Sequence, residues 1–265
     1  MLTESIIPLV QWERSLLTDV VLLSVEECGR VRDGLYSLRH LWIKRHPVVP
    51  FYTLGASNYF DIAYNPKLPY YSMACETNPV LMLEFGWLYD MLAASIETQL
   101  GLPVEYPETL ALPGFHIFLA HEALRNIQAL MHREWFRKKD DPSGFASPIH
   151  CDTPHHVVSW AGISDVSLAR PFSITLAVSM PKTGAGMYVW DVDLHDTAGM
   201  LGKTIFTLLQ GRNRSLHEYE LGRYCLHSGL HYHQVAPFDE VHPDDVRITL
   251  QGHGIMGERS IKLYW

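Results

Sequence analysis

The sequence holds no Cys-x-x-Cys pair, no excess of basic residues and no apolar run near the roughly 18 residues that a membrane span requires. Each absence removes a class of function. The four cysteines, Cys28, Cys75, Cys151 and Cys225, are scattered. They form neither a disulfide framework nor a zinc ribbon, and they read as reduced thiols of a cytoplasmic protein. The formal net charge of −8 offers no basic face for nucleic acid or for an anionic membrane. Met1–Ser15 lacks a basic stretch followed by an apolar one, so no signal peptide is expected. Internal repeats, low-complexity segments and linkers are also missing. The 265 residues therefore suit one domain, 1–265, whose partner is a small molecule. Oligomeric state has no readable signal. What is abundant is histidine, with 15 residues, and imidazole is the commonest metal ligand.

The first part of the chain, 1–110, has mainly helical periodicity. Ser24-Val25-Glu26-Glu27 fits a capping box, in which hydroxyl and carboxylate each satisfy a free amide at the helix start. Val25, Cys28, Val31, Leu35, Leu38 and Trp42 follow at spacings of three or four, and Pro47 and Pro50 close the segment. Residues 51–71, aromatic and rich in Gly, Asn and Pro, read as irregular or as short strands. A second helix is expected from Asn78-Pro79, with Leu81, Phe85, Leu88, Leu92 and Ile96 on one face and Gly101 as its stop. A third is expected over about 121–137.

From 111 onward the period changes. Phe172, Ile174, Leu176, Val178 and Met180 alternate with Ser173, Thr175, Ala177 and Ser179, the pattern of a half-buried strand. Further strands are expected at 114–119, 156–160, 186–191, 231–235, 246–251 and 260–264, with turns at 181–184 and 211–213. Helices first and strands afterwards predict an α+β arrangement, in which helices back an antiparallel sheet.

Pro148-Ile149-His150-Cys151-Asp152 carries the sharpest chemical signal. On an extended segment residues two apart share a face, so His150 and Asp152 can chelate one ion while Cys151 points away. The best third ligand is His233 in His231-Tyr232-His233-Gln234-Val235-Ala236-Pro237; His231 on the same face and His227 of the same parity are its rivals. Two histidines and a carboxylate on one side of an iron(II) leave three positions open on the other. Arg247 and Thr249 share a face of the strand that follows, and a guanidinium beside a hydroxyl suits a carboxylate.

The order His-x-Asp, then His, then Arg-x-Thr resembles the iron(II)/2-oxoglutarate-dependent oxygenase superfamily. Thr183–Trp190 resembles the glycine turn and strand that the family places between its two iron-binding segments. His233-Gln234-Val235-Ala236-Pro237 resembles the family's H-x-V-x-P run, which favours His233 over its rivals. The likeness covers roughly residues 110–265. It implies a double-stranded β-helix (jelly-roll, cupin-like) core over 111–265, flanked by N-terminal helices. It also implies iron(II) on His150, Asp152 and His233, and 2-oxoglutarate held by Arg247 and Thr249. With O2 as second cosubstrate, succinate and CO2 would be released. Family members that halogenate carry a small residue in place of Asp152, so the carboxylate here points to hydroxylation; desaturation, ring closure and epoxidation use the same three ligands.

His155, His156, Arg170 and Trp190 are expected to reach the substrate, and Tyr188 is a further candidate. Each has a plainer reading as a packing or surface residue. Either 52–71 or 121–147 could cover the iron. A free amino acid or a specialised metabolite is the expected substrate. Two other readings compete: a cupin-like metal-dependent oxidase or isomerase that does not use 2-oxoglutarate, and a non-catalytic jelly-roll binding module. The first leaves Arg247 and Thr249 without a ligand to hold. The second gives no reason for a full set of metal ligands.

Overall fold

The alternation along 171–179 builds the wall on which everything else rests, as the computed structural model of the protein shows; it describes residues 18–62, 69–125 and 149–265. Twelve strands occur among these residues. They are β1 (Thr18–Val21), β2 (Ile43–Lys44), β3 (Phe51–Leu54), β4 (Val104–Glu105), β5 (Gly114–Leu119), β6 (Pro171–Ser179), β7 (Met187–Asp193), β8 (Arg214–His217), β9 (Arg223–His227), β10 (His231–Val235), β11 (Val246–Met256) and β12 (Ile261–Tyr264). The helices are α1 (Val25–Ser37), the single turn α2 (Asn58–Asp61), α3 (Tyr70–Leu100) and α4 (Gly202–Gln210).

The major sheet has nine strands, with a spine ordered β1-β9-β6-β11-β5-β3-β2 and with β12 and β4 continuing beside β11. All its pairings are antiparallel except β12 with β4. A minor sheet, β10-β7-β8, is the second layer. The two layers make the expected double-stranded β-helix.

Because side chains alternate across a strand, the major sheet has two different faces. Phe115, Ile117, Phe172, Ile174, Leu176, Tyr224, Leu226, Ile248 and Leu250 point outward. They bury against Val31 and Leu35 of α1 and Leu81, Phe85, Leu88, Leu92 and Ile96 of α3. Each such side chain contributes about 1.5–3 kcal/mol on burial. The opposite parity, which includes Ser173, Thr175, His116, His227, Arg247, Thr249 and His253, is buried and polar and lies between the sheets.

The N-terminal part supplies strands β1 to β4 as well as helices. The Ser24–Glu27 capping box is present, and Gly101 ends α3 in the left-handed conformation at φ 73°. The start of α3 lies at Tyr70 rather than at Asn78-Pro79. Asn78 caps nothing. Its side-chain amide donates to the Leu110 carbonyl and its carbonyl accepts from the Leu112 amide, so it ties the helix to the loop before β5. By length and composition α3 could cross a bilayer; here one face of it lies under the sheet.

No strand forms at 156–160, because Pro154 opens a single 3-10 turn, Pro154–His156. β11 instead runs five residues beyond the expected 246–251, to Met256. Gly252 and Gly254, inside this strand, are close-approach positions. A Cβ on Gly254 would lie 2.0 Å from the Phe172 ring, and one on Gly252 would lie 2.9 Å from Pro113. Strands β8 and β9 are not expected from the sequence. The expected helix over 121–137 begins as a 3-10 turn, Glu122–Leu124, and otherwise lies outside the described residues, as does most of the 121–147 cover.

Arg45 anchors β2 and β3 to α2. Its guanidinium grips Asp61 at 2.6 and 2.8 Å and donates to Thr53 Oγ1 at 2.7 Å, with both charges buried. Asp61→Ala leaves a buried cation without its partner, which costs about 3–5 kcal/mol. The urea midpoint should fall accordingly, and a midpoint equal to that of the parent protein would contradict this account.

Candidate metal centre

Residues 149–152 run extended beside β10. His150 and His233 exchange both backbone hydrogen bonds, at 3.0 and 2.9 Å, and the Asp152 amide donates to the Gly229 carbonyl at 2.7 Å. This pairing adds a short edge segment to the minor sheet and sets the side chains. His150 and Asp152 face inward, and Cys151 turns away to donate its thiol hydrogen to the Leu230 carbonyl at 3.1 Å. His233 lies opposite Val189 on β7 and shares that inner face.

The three ligand atoms gather as the spacing predicts. His150 Nε2 is 3.5 Å from Asp152 Oδ1, and His233 Nε2 is 3.4 Å from Asp152 Oδ2. All three donors lie within 4.8 Å of one another. Neither His231 nor His227 belongs to the group. His231 instead offers its backbone carbonyl to His233 Nδ1 at 2.8 Å. A carbonyl only accepts, so His233 carries its proton on Nδ1 and Nε2 is left with a free lone pair. His227 accepts from the Gly229 amide through Nδ1 at 3.1 Å.

Electrostatics favour a cation here. Burial alone would raise the Asp152 carboxyl, but His233 and His150 hold it well below the usual carboxylate range. His233 is pushed down to about 4, by burial first and against the pull of Asp152, so it is neutral and able to ligate at pH 7. Ser173 on β6 donates to Asp152 Oδ2 at 2.6 Å and fixes that carboxylate. Gly229, at φ 73°, allows the close approach: a Cβ there would lie 2.9 Å from the Asp152 Cβ and 2.8 Å from Ser173 Oγ.

Arg247 and Thr249 face the same interior from the opposite layer, on β11 of the major sheet. Arg247 is fully buried, and among the described residues Nε, Nη1 and Nη2 have no hydrogen-bond partner. Thr249 Oγ1 is likewise buried and unpartnered. The rings of Phe118 and Tyr219 flank the guanidinium at 5.4 and 5.5 Å. Burial lowers the Arg247 pKa while Tyr219 opposes the shift, and an arginine so placed stays charged. A desolvated cation with no anionic partner among the described residues has the chemistry of a carboxylate receptor.

The other expected site residues are divided. His155 is buried, with Nδ1 unpartnered, while His156 is exposed and packs on it with ring centroids 4.1 Å apart. Arg170 does not join the group: its guanidinium donates to the Gly257 carbonyl at 2.6 Å, in the turn between β11 and β12. Trp190 lies on the outer face of β7, where its indole donates to the Leu209 carbonyl at 3.1 Å within an apolar cluster with α4. Tyr188 shares that outer parity and stacks under Arg214 at 4.0 Å. Alternation explains both, since Val189 occupies the inward position between them. Asp19, His217 and Cys225 form a second set of donors where β1, β8 and β9 meet, but Asp19 and His217 already pair with each other at 3.2 Å.

Four residues of the site escaped the sequence reading: Ser173, Gly229, Tyr219 and His253. Ser173 had a signal, as the polar partner in the clearest alternating strand. His253 shares the parity of Arg247 and Thr249, but the strand was read as ending at 251. Gly229 and Tyr219 stand in connections without period.

No protein-family model matches the chain, and no curated protein matches it in sequence. Solved structures do. An N-substituted L-amino acid dioxygenase from Burkholderia ambifaria AMMD, in complex with α-ketoglutarate (2-oxoglutarate), matches over 95% of this chain and 87% of its own, with a TM-score of 0.51 and 14% identity. The non-haem α-ketoglutarate-dependent epimerase SnoN from nogalamycin biosynthesis matches over 94% and 83%, with a TM-score of 0.48 and 12% identity. A prolyl-4-hydroxylase from Pseudomonas putida matches over 91% and 92%, with a TM-score of 0.41 and 11% identity. At 14% identity, what the chain shares with the first of these is the fold, the jelly roll of the iron(II)/2-oxoglutarate oxygenases.

Ser173→Ala removes the hydroxyl that orients Asp152 without removing a ligand. Loss of such a supporting hydrogen bond should weaken iron(II) or zinc(II) binding by about 10–100-fold in a chelator competition. An affinity unchanged within twofold would show that Asp152 needs no such support.

Proposed function

We propose that this protein is an iron(II)- and 2-oxoglutarate-dependent dioxygenase that hydroxylates a small molecule, such as a free amino acid or a specialised metabolite. The observation that carries the reading is the Arg247 guanidinium, buried with the Thr249 hydroxyl and without a partner among the described residues, on the layer that faces His150, Asp152 and His233. A dicarboxylate fits this arrangement. One end would be held by the fixed cation and the hydroxyl, and the other would turn towards the metal held by His150, Asp152 and His233.

The donor set suits iron(II): two imidazoles and one carboxylate on one side, with three positions left open on the other. When bound, the iron and the oxo acid supply the oxidising power, with O2 consumed and succinate and CO2 released. The chain's own part is placement. The His231 carbonyl keeps His233 in the ligating tautomer, Ser173 holds the Asp152 oxygen, and Phe118 and Tyr219 keep water from Arg247. A dry guanidinium binds a carboxylate far more strongly than a wet one.

The cupin-like alternative without 2-oxoglutarate leaves Arg247 and Thr249 buried and idle, and nothing in the site favours it. A binding module that merely kept this fold would have no use for the three converging donors.

Anaerobic addition of iron(II) and 2-oxoglutarate to the apoprotein should produce a weak visible charge-transfer band. Arg247→Ala should raise the 2-oxoglutarate concentration for half-saturation at least about 30-fold, since truncating one member of a buried charge pair costs about 2–5 kcal/mol. A missing band in the parent protein, or a titration that the substitution leaves unchanged, would overturn the assignment.

A further inference from the structure

Arg247 and Thr249 are not the only idle polar groups between the sheets. His253 Nε2, His155 Nδ1 and the Tyr264 hydroxyl are also buried and unpartnered among the described residues. His253 is the most informative, because its neighbours fix where its proton lies. It stands on β11, opposite Ser173 on β6 and Tyr264 on β12. Ser173 Oγ lies 2.6 Å from Asp152 Oδ2 and 3.0 Å from His253 Nδ1.

A serine hydroxyl has one hydrogen. A carboxylate that ligates a metal has none, so the serine's hydrogen goes to Asp152. Ser173 can then only accept from His253, which puts the imidazole hydrogen on Nδ1. His253 is a neutral imidazole, since burial lowers its pKa. Nε2 is therefore a bare acceptor, buried and without a hydrogen-bond donor among the described residues. Tyr264 stands opposite it in the sheet, at a ring separation of 6.0 Å, and the two do not bond.

An unanswered buried acceptor costs about 1–3 kcal/mol. The metal does not satisfy it, because His253 is not among the donors that gather within 4.8 Å of one another. Nor can 2-oxoglutarate, whose oxygens at neutral pH only accept. No donor among the described residues answers it, and a hydroxyl or N–H of the molecule to be oxidised would do so.

We propose that His253 is a specificity-determining residue, which accepts a hydrogen bond through Nε2 from a hydroxyl or N–H group of the substrate. The substrate class is thereby narrowed to compounds that carry such a donor at the end that enters the site. This rests on the oxygenase reading, but the two can fail separately. The visible band on iron does not involve His253, and the experiment below involves no turnover.

Protein labelled with 15N-histidine, loaded with zinc(II) and 2-oxoglutarate, is observed by long-range proton–nitrogen NMR at pH 7.5, with the His253 signals assigned through His253→Gln. A protonated Nδ1 and a bare Nε2 are expected. The opposite tautomer, or an imidazolium, overturns the proposal. The same sample is then titrated with free L-amino acids and the corresponding amino alcohols, each paired with its fully N- and O-methylated counterpart. At least one donor-bearing member should bind and move the Nε2 resonance upfield, and its methylated counterpart should bind at least tenfold more weakly. His253→Phe should abolish that preference. His253→Gln, whose amide oxygen accepts, should retain part of it, which a merely structural role would not predict. Equal binding of methylated partners, a preference that survives His253→Phe, or a panel in which nothing moves the Nε2 signal would each overturn the assignment.

Discussion

A guanidinium removed from water and left without an anion is among the least tolerable features a protein interior can hold. Among the described residues Arg247 is in that condition on the inner face of β11. The strand cannot rotate it out, because Ile248 and Leu250 on the same strand are locked into the core beneath α1 and α3. The polar parity of β11 is thus the consequence of its apolar parity. The fold pins the cation in place, and a ligand must answer it.

The same alternation accounts for the rest of the site. One face of the major sheet is apolar and carries the helices; the other is polar, buried and faces the minor sheet. Ser173, Arg247, Thr249 and His253 come from the major sheet, while His233 and the edge segment bearing His150 and Asp152 come from the minor one. Metal ligands and carboxylate receptor thus approach from opposite layers, so a molecule between them can touch both. Stability and binding are properties of one sheet read from its two sides.

The sequence made part of this legible. Periodicity located β5 and β10 to the residue and β6 within one residue. The His-x-Asp spacing worked because that segment is extended, and Arg247-x-Thr249 worked for the same reason. The failures also have physical causes. Asn78-Pro79 has the look of a helix start, yet the Asn78 amide is used to tie down a loop. Trp190 looked like a pocket aromatic because its place in the strand was judged without its parity relative to His233. The strand expected at 246–251 runs on to Met256 through Gly252 and Gly254, which admit Pro113 and the Phe172 ring, so His253 went unread. Those are tertiary facts with no local trace.

The whole account depends on a ferrous ion and a dicarboxylate meeting between the two sheets. Crystals grown anaerobically with iron(II) and 2-oxoglutarate, measured on either side of the iron absorption edge, test this directly. The predicted result is one anomalous peak bonded to His150, Asp152 and His233, with the far carboxylate of the oxo acid in a two-pronged contact with Arg247. A peak elsewhere, or an oxo acid whose far carboxylate leaves Arg247 unanswered, would contradict it.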